Sequence, residues 1–65
     1  MNYSSAEFLA MGSMAAQEYI SGGVPLDVSI AKIAEQKDLS RIQIQRVVEL
    51  ANHEANDRLM TAAED

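Results

Sequence analysis

Two capping boxes and one glycine–proline break divide this chain into helical segments. Ser4 is followed three residues later by Glu7, and Ser40 is followed in the same way by Gln43. A serine with Glu or Gln at the third helical position is the pattern of a helix amino terminus. The Gly-Gly-Val-Pro run at 22–25 supplies a left-handed stop and then prevents the first helix from continuing. These signals predict three helices.

The spacing of the apolar residues supports the same division. Apolar side chains recur every three or four residues, and no segment alternates as a strand does. We therefore predict an all-α fold, a small three-helix domain with a long C-terminal helix. The helices are expected over about residues 5–21, 25–37 and 41–62. No internal repeat or second domain is evident, so residues 1–65 are interpreted as a single helical domain.

The length and the absence of cysteine make the predicted core thin. A chain of 65 residues buries only about 60% of its unfolded surface on folding. Disulfides and thiolate metal sites are excluded because there is no Cys. A partner chain is the remaining common support for so small a core, unless the helices pack unusually well. The sequence therefore predicts that the protein belongs to an oligomer or a larger assembly.

The charge of the chain disfavours two classes of partner. Ten acidic and five basic residues give a net charge of −5. Binding to nucleic acid or to anionic membranes depends on a surplus of Lys and Arg. No apolar run approaches the ~20 residues that span a bilayer, and the amino terminus does not have a signal-peptide pattern. We expect a protein that is made in a reducing cytoplasm, binds other proteins and has no contact with membranes.

The sequence contains no convincing group of catalytic or metal-binding residues. Glu49, His53 and Asp57 recur every four residues and could form a strip of metal ligands on one helix. Three ligands on one helix do not enclose a metal, so a solvated helix face is the favoured interpretation. The single His lies far in sequence from the serines, which leaves them without a general base. We predict no catalytic residue, no cofactor, no metal and no enzymatic activity.

Residues 33–48 resemble the helix-turn-helix of bacterial repressors. Leu39, Ile44 and Val47 occupy core positions of that motif, and Asp38 stands where its turn glycine usually lies. Aspartate tolerates the left-handed conformation needed there. The residues that this resemblance would place against DNA are Ser40, Arg41, Gln43 and Arg46. The alternative interpretation is a sharp, well-capped corner between two helices, with no role in binding.

A second resemblance covers residues 24–59. Its motifs are the Ile-Ala-Lys-Ile-Ala segment at 30–34, Leu39, and the segment from Gln43 to Asn52. This pattern is similar to small helical proteins of bacteriophages that are virion structural or capsid-associated proteins. The resemblance implies assembly into a symmetric shell. It also implies location in the virion, with capsid, connector or other virion proteins as partners and a second copy of the chain among the candidates.

Four residues are predicted to bind the partner. Phe8, Met11 and Tyr19 lie on an apolar arc that covers about half of the circumference of the first helix. Such an arc is wider than the face that one neighbouring helix needs. Leu59 extends the apolar stripe of the third helix beyond the expected reach of the other two. Aromatic and Met side chains are enriched in interface cores. The predicted partner-binding residues are therefore Phe8, Met11, Tyr19 and Leu59.

Overall fold

The computed structural model of the protein describes residues 2–64, and the side chains of residues 2–61. Three helices account for most of it: α1 spans Ser5–Gly22, α2 spans Leu26–Lys37 and α3 spans Arg41–Glu64. The described residues contain no strand. The all-α, three-helix prediction with a long C-terminal helix is confirmed, and each boundary falls within two residues of its expected position.

Both predicted capping boxes are present. In α1 the Ser4 hydroxyl accepts the Glu7 N–H at 3.2 Å, and the Glu7 carboxylate accepts the Ser4 N–H at 3.1 Å. In α3 the Gln43 side-chain oxygen accepts the Ser40 N–H at 2.8 Å, and the Ser40 hydroxyl accepts the Gln43 N–H at 3.3 Å. Each box satisfies two amide donors that the helix itself cannot pair. The two helix starts are therefore fixed by local sequence.

The ends of α1 and α2 both use the left-handed conformation. Gly23 has φ 67°, and its N–H donates to the Tyr19 carbonyl at 3.2 Å. Asp38 has φ 52°, and its N–H donates to the Ala34 carbonyl. Asp38 therefore takes the turn position usually given to glycine, in a left-handed conformation that aspartate tolerates.

The direction of each helix follows from a few contacts between the helices. Tyr3, just before α1, donates its hydroxyl to the Lys37 carbonyl at the end of α2, and Ser29 near the start of α2 donates to Glu18 near the end of α1. Helices α1 and α2 are thus antiparallel. Helix α3 runs in the same direction as α1. Gly12 lies against Ala51, and the later residues Ser13 and Gln17 of α1 contact the later residue Arg58 of α3.

Small residues let α1 and α3 approach closely. A Cβ added to Gly12 would lie 2.8 Å from Leu50 Cβ and 3.0 Å from the Ala51 backbone nitrogen. One turn further on, Ala16 and Ala55 are also buried. Glycine is required where another backbone comes this near. The contact between α1 and α3 is therefore set by residues without bulky side chains.

The core lies where the three helices meet. Its members come from all three: Phe8, Met11, Ala15, Ile30, Ile33, Val47 and Ala51. Helix α1 faces both α2 and α3, so the broad apolar arc predicted from the sequence is largely covered within the chain. The two neighbours that so broad an arc requires are therefore α2 and α3 of the same chain.

Leu39 and Ile44 secure the corner between α2 and α3. Both are half-buried against the core, on either side of the Ser40 cap. We expect Leu39→Ala to lower the free energy of unfolding by about 2 kcal/mol, the low end of the range for a buried leucine. Urea denaturation followed by circular dichroism measures the change. Leu9→Ala is the matched control, because Leu9 is exposed on α1; equal losses in the two variants would contradict this account of the corner.

Candidate functional site

The four predicted partner-binding residues fall into two groups. Phe8 and Met11 are only 8% and 3% exposed and belong to the core of the chain itself, so they offer little side-chain surface to a partner. Tyr19 and Leu59 are 41% and 47% exposed. The structure therefore leaves the second pair available for direct contact and assigns the first pair to folding.

The exposed pair lies at one end of the domain. Because α1 and α3 are parallel with Gly12 beside Ala51, moving the same number of residues along each helix brings Ile20 level with Leu59. Ile20 is also exposed. We call Tyr19, Ile20 and Leu59 the carboxyl-end surface. Ile20 was missed as a site residue, although its place at the edge of the broad apolar arc of α1 was the signal for it.

Arg58 fastens the carboxyl-end halves of α1 and α3 together. Its guanidinium donates to the Ser13 hydroxyl at 2.9 Å, to the Gln17 side-chain oxygen at 2.7 Å and to the Glu54 carboxylate at 3.2 Å. Ala55, one turn earlier, is buried. The second half of α3 thus packs on α1 further along than the sequence suggested. Leu59 is half-exposed and directly follows Arg58, which is hydrogen-bonded to α1.

Replacing this arginine tests the fastening. We expect Arg58→Lys to lower the free energy of unfolding by about 1 kcal/mol, because a single ammonium cannot reproduce the planar fork that reaches two residues of α1. Arg41→Lys is the control, since Arg41 is exposed at the start of α3. Thermal melts at fixed protein concentration compare the two variants. An Arg58→Lys melt identical to that of the control would show that these hydrogen bonds contribute nothing.

The corner that resembles a helix-turn-helix presents only part of its predicted DNA-contacting set. The side chains of Ser40 and Gln43 are bonded to each other's backbone in the capping box. Arg41 and Arg46 are exposed, and the Arg46 guanidinium carbon lies 5.9 Å from the centre of the Phe8 ring. Arg41 is therefore exposed to solvent at the start of α3, whereas Arg46 is exposed but also packs its guanidinium against the Phe8 ring of α1.

The possible metal strip lies on the solvent side of α3. Glu49, His53 and Asp57 are exposed, and His53 Nε2 is 3.6 Å from an Asp57 carboxylate oxygen. Within the part of the chain that the structure describes, no group of three or more His, Asp or Glu residues could hold a metal ion.

Across the same residues, no helix is long and apolar enough to span a membrane.

Two surfaces thus combine exposure with side chains suited to contact with a macromolecule. One is the apolar carboxyl-end surface, and the other is the amino-terminal part of α3, with the exposed Arg41 and Arg46. Comparison of the chain with protein-family models, curated proteins and solved structures gave no match.

Proposed function

We propose that this protein is a non-enzymatic structural component that packs on a larger protein assembly, a phage virion, through the carboxyl-end surface. The observation that carries the proposal is the exposure of Tyr19 and Leu59, 41% and 47%, at the same end of two helices. Exposed apolar side chains that cluster mark interaction sites more often than isolated ones do. Tyrosine is also among the residues that most often dominate binding energy.

The rigidity of this surface favours binding. Tyr19 and Ile20 lie within the last turn of α1, and Leu59 follows directly after Arg58, which is bonded to both helices. Side chains held on packed helices lose less conformational entropy on association than side chains on loops. The surface can therefore contact a partner without first becoming ordered.

The resemblance to phage proteins supports a virion as the assembly. Its two helical motifs, at 30–34 and 43–52, supply Ile30, Ile33 and Val47 to the core. Those motifs thus account for the fold, and the carboxyl-end surface is largely outside them. A capsid or connector protein is the partner that this resemblance implies. The protein would be made in the host cytoplasm and retained in the finished particle.

Gradient fractionation of lysates from cells that produce the protein tests the proposal. We expect the chain to sediment with large particles at a constant ratio to the main shell protein, and to remain there after a high-salt wash. Apolar contacts tolerate salt, whereas contacts between exposed charges are screened. Recovery of the chain only as a small soluble species would contradict the proposal.

A helix-turn-helix regulator is the second candidate, favoured by the geometry of the α2–α3 corner. Asp38 adopts the left-handed turn, and Arg41 and Arg46 are exposed on the helix that would enter the major groove. The net charge of −5 opposes this candidate. A gel shift that weakens steeply between low and physiological salt would favour the regulator; absence of any shift at low salt would favour the structural protein.

A further inference from the structure

The solvent side of α3 carries the two most exposed large apolar side chains in the described part of the chain. Ile42 is 81% exposed and Met60 is 63% exposed. They are separated by five full turns at about 3.6 residues per turn, so both point to the same side of the helix. We call this side, from Ile42 to Met60, the outer face of α3. Its remaining side chains are polar and exposed: Gln45, Arg46, Glu49, His53, Asn56 and Asp57.

A shallow depression lies in the amino-terminal part of the outer face. Ile42, Gln45, Arg46 and Glu49 line this depression. Counted from Ile42, the other three residues follow at i+3, i+4 and i+7. In coiled coils, four residues with this spacing form the hole that receives one side chain of the facing helix. The depression is therefore suited to a helix that lies along α3.

The first and last turns of α3 lack the charges that would favour its own helix dipole. Arg41 lies in the first turn, which has no acidic residue, and the last turn has no basic one. Acidic residues favour the amino end of a helix and basic residues the carboxyl end. Arg46 is also in the amino-terminal half, whereas Asp57 is in the carboxyl-terminal half. Arg46 and Asp57 thus lie towards opposite ends of the outer face, so they complement a neighbour that runs in the opposite direction.

We propose that the outer face of α3 binds the same face of a second copy of this chain, with the two helices antiparallel. Setting Ile42 opposite Met60 of the second copy places Glu49 opposite His53, and brings Arg46 close to Asp57. The arrangement is two-fold symmetric, so every contact occurs twice. Both of the most exposed apolar side chains become covered, and each basic end meets an acidic end.

A second copy fits this face better than DNA does. Glu49 and Asp57 lie on the same face as Arg46, and carboxylates repel phosphates. Only a surface with the opposite order of charges complements the whole length, and the antiparallel copy has that order. The contact uses none of the three residues of the carboxyl-end surface, Tyr19, Ile20 and Leu59. It is therefore independent of the proposed function and leaves that surface open to another partner.

Sedimentation of the purified full chain over a concentration range of about a hundredfold tests the proposal. We expect a monomer–dimer equilibrium. Ile42→Gln should weaken the dimer by more than about tenfold, because each dimer contains the contact twice. Val28→Gln is the matched control, since Val28 is an exposed apolar residue on α2. Circular dichroism should show the same helicity in both variants.

Charge reversal tests the antiparallel orientation. Arg46→Glu and Asp57→Arg should each weaken the dimer, and the chain that carries both should recover it, because the two charges have exchanged places. A monomer at every concentration would overturn the proposal, as would a double variant no stronger than the single ones. Loss of the dimer in Tyr19→Ala would also overturn it, by placing self-association at the carboxyl-end surface. A monomer that still enters particles would leave the proposed function intact.

Discussion

Gly12→Ala lowers the free energy of unfolding by about 1–3 kcal/mol, although alanine is the better helix former. The added Cβ would meet Leu50 Cβ at 2.8 Å and the Ala51 backbone nitrogen at 3.0 Å. Neither atom is the far end of a flexible side chain, so α1 and α3 must move apart. Overpacking of this kind costs about 1–3 kcal/mol and exceeds the helix-propensity gain of about 1 kcal/mol when the backbone cannot adjust.

Gly22→Ala is the matched control for this prediction. The nearest atom to a Cβ added at Gly22 is Val24 Cγ2, at the ordinary contact distance of 3.7 Å. The same substitution should therefore be neutral or stabilising there. Urea denaturation of both variants, followed by circular dichroism, gives the comparison. Equal stabilities would contradict the close approach of α1 and α3.

Phe8→Ala lowers the free energy of unfolding by about 3–5 kcal/mol, the largest loss expected for any single substitution considered. Phe8 is buried in the core, and its ring makes an edge contact with Tyr3 at 6.0 Å between centroids. Truncating a buried phenylalanine costs about 3–5 kcal/mol. A domain of this length has a total stability of roughly 3–10 kcal/mol at about 0.05–0.15 kcal/mol per residue. We expect a large loss of helicity at room temperature.

Tyr19→Ala provides the contrast, because Tyr19 is an exposed aromatic residue of the same helix. Its helicity and melting temperature should stay close to those of the original chain. Circular dichroism and proton NMR dispersion compare the two variants. A Phe8→Ala chain that folded normally but failed to bind its partner would restore Phe8 to the binding surface.

The helices were predictable because their ends are determined by neighbouring residues. Ser4 with Glu7 and Ser40 with Gln43 form closed hydrogen-bonded boxes, and these bonds depend on nothing outside the first turn of each helix. The left-handed Asp38 is also a local feature, because the short side chain of aspartate tolerates that conformation.

The division of the apolar arc between core and surface was not predictable in the same way. Phe8, Met11 and Tyr19 share one side of α1, and periodicity alone does not say where along that side the neighbouring helices lie. Parallel packing of α3 on α1 buries the first two and leaves the third half-exposed. Arg58 shows the same limit, because its bonds to Ser13 and Gln17 cross more than 40 residues of sequence.

Incorporation of variant chains into purified particles measures whether the carboxyl-end surface binds the assembly. The account predicts that Tyr19→Ala and Leu59→Ala each reduce the amount of chain per particle while leaving the helicity unchanged, because both residues are exposed. The chain with both Arg41→Ala and Arg46→Ala should be incorporated nearly as well as the original. The opposite pattern, with the apolar variants harmless and the arginine pair essential, would contradict the account and favour the DNA-binding regulator.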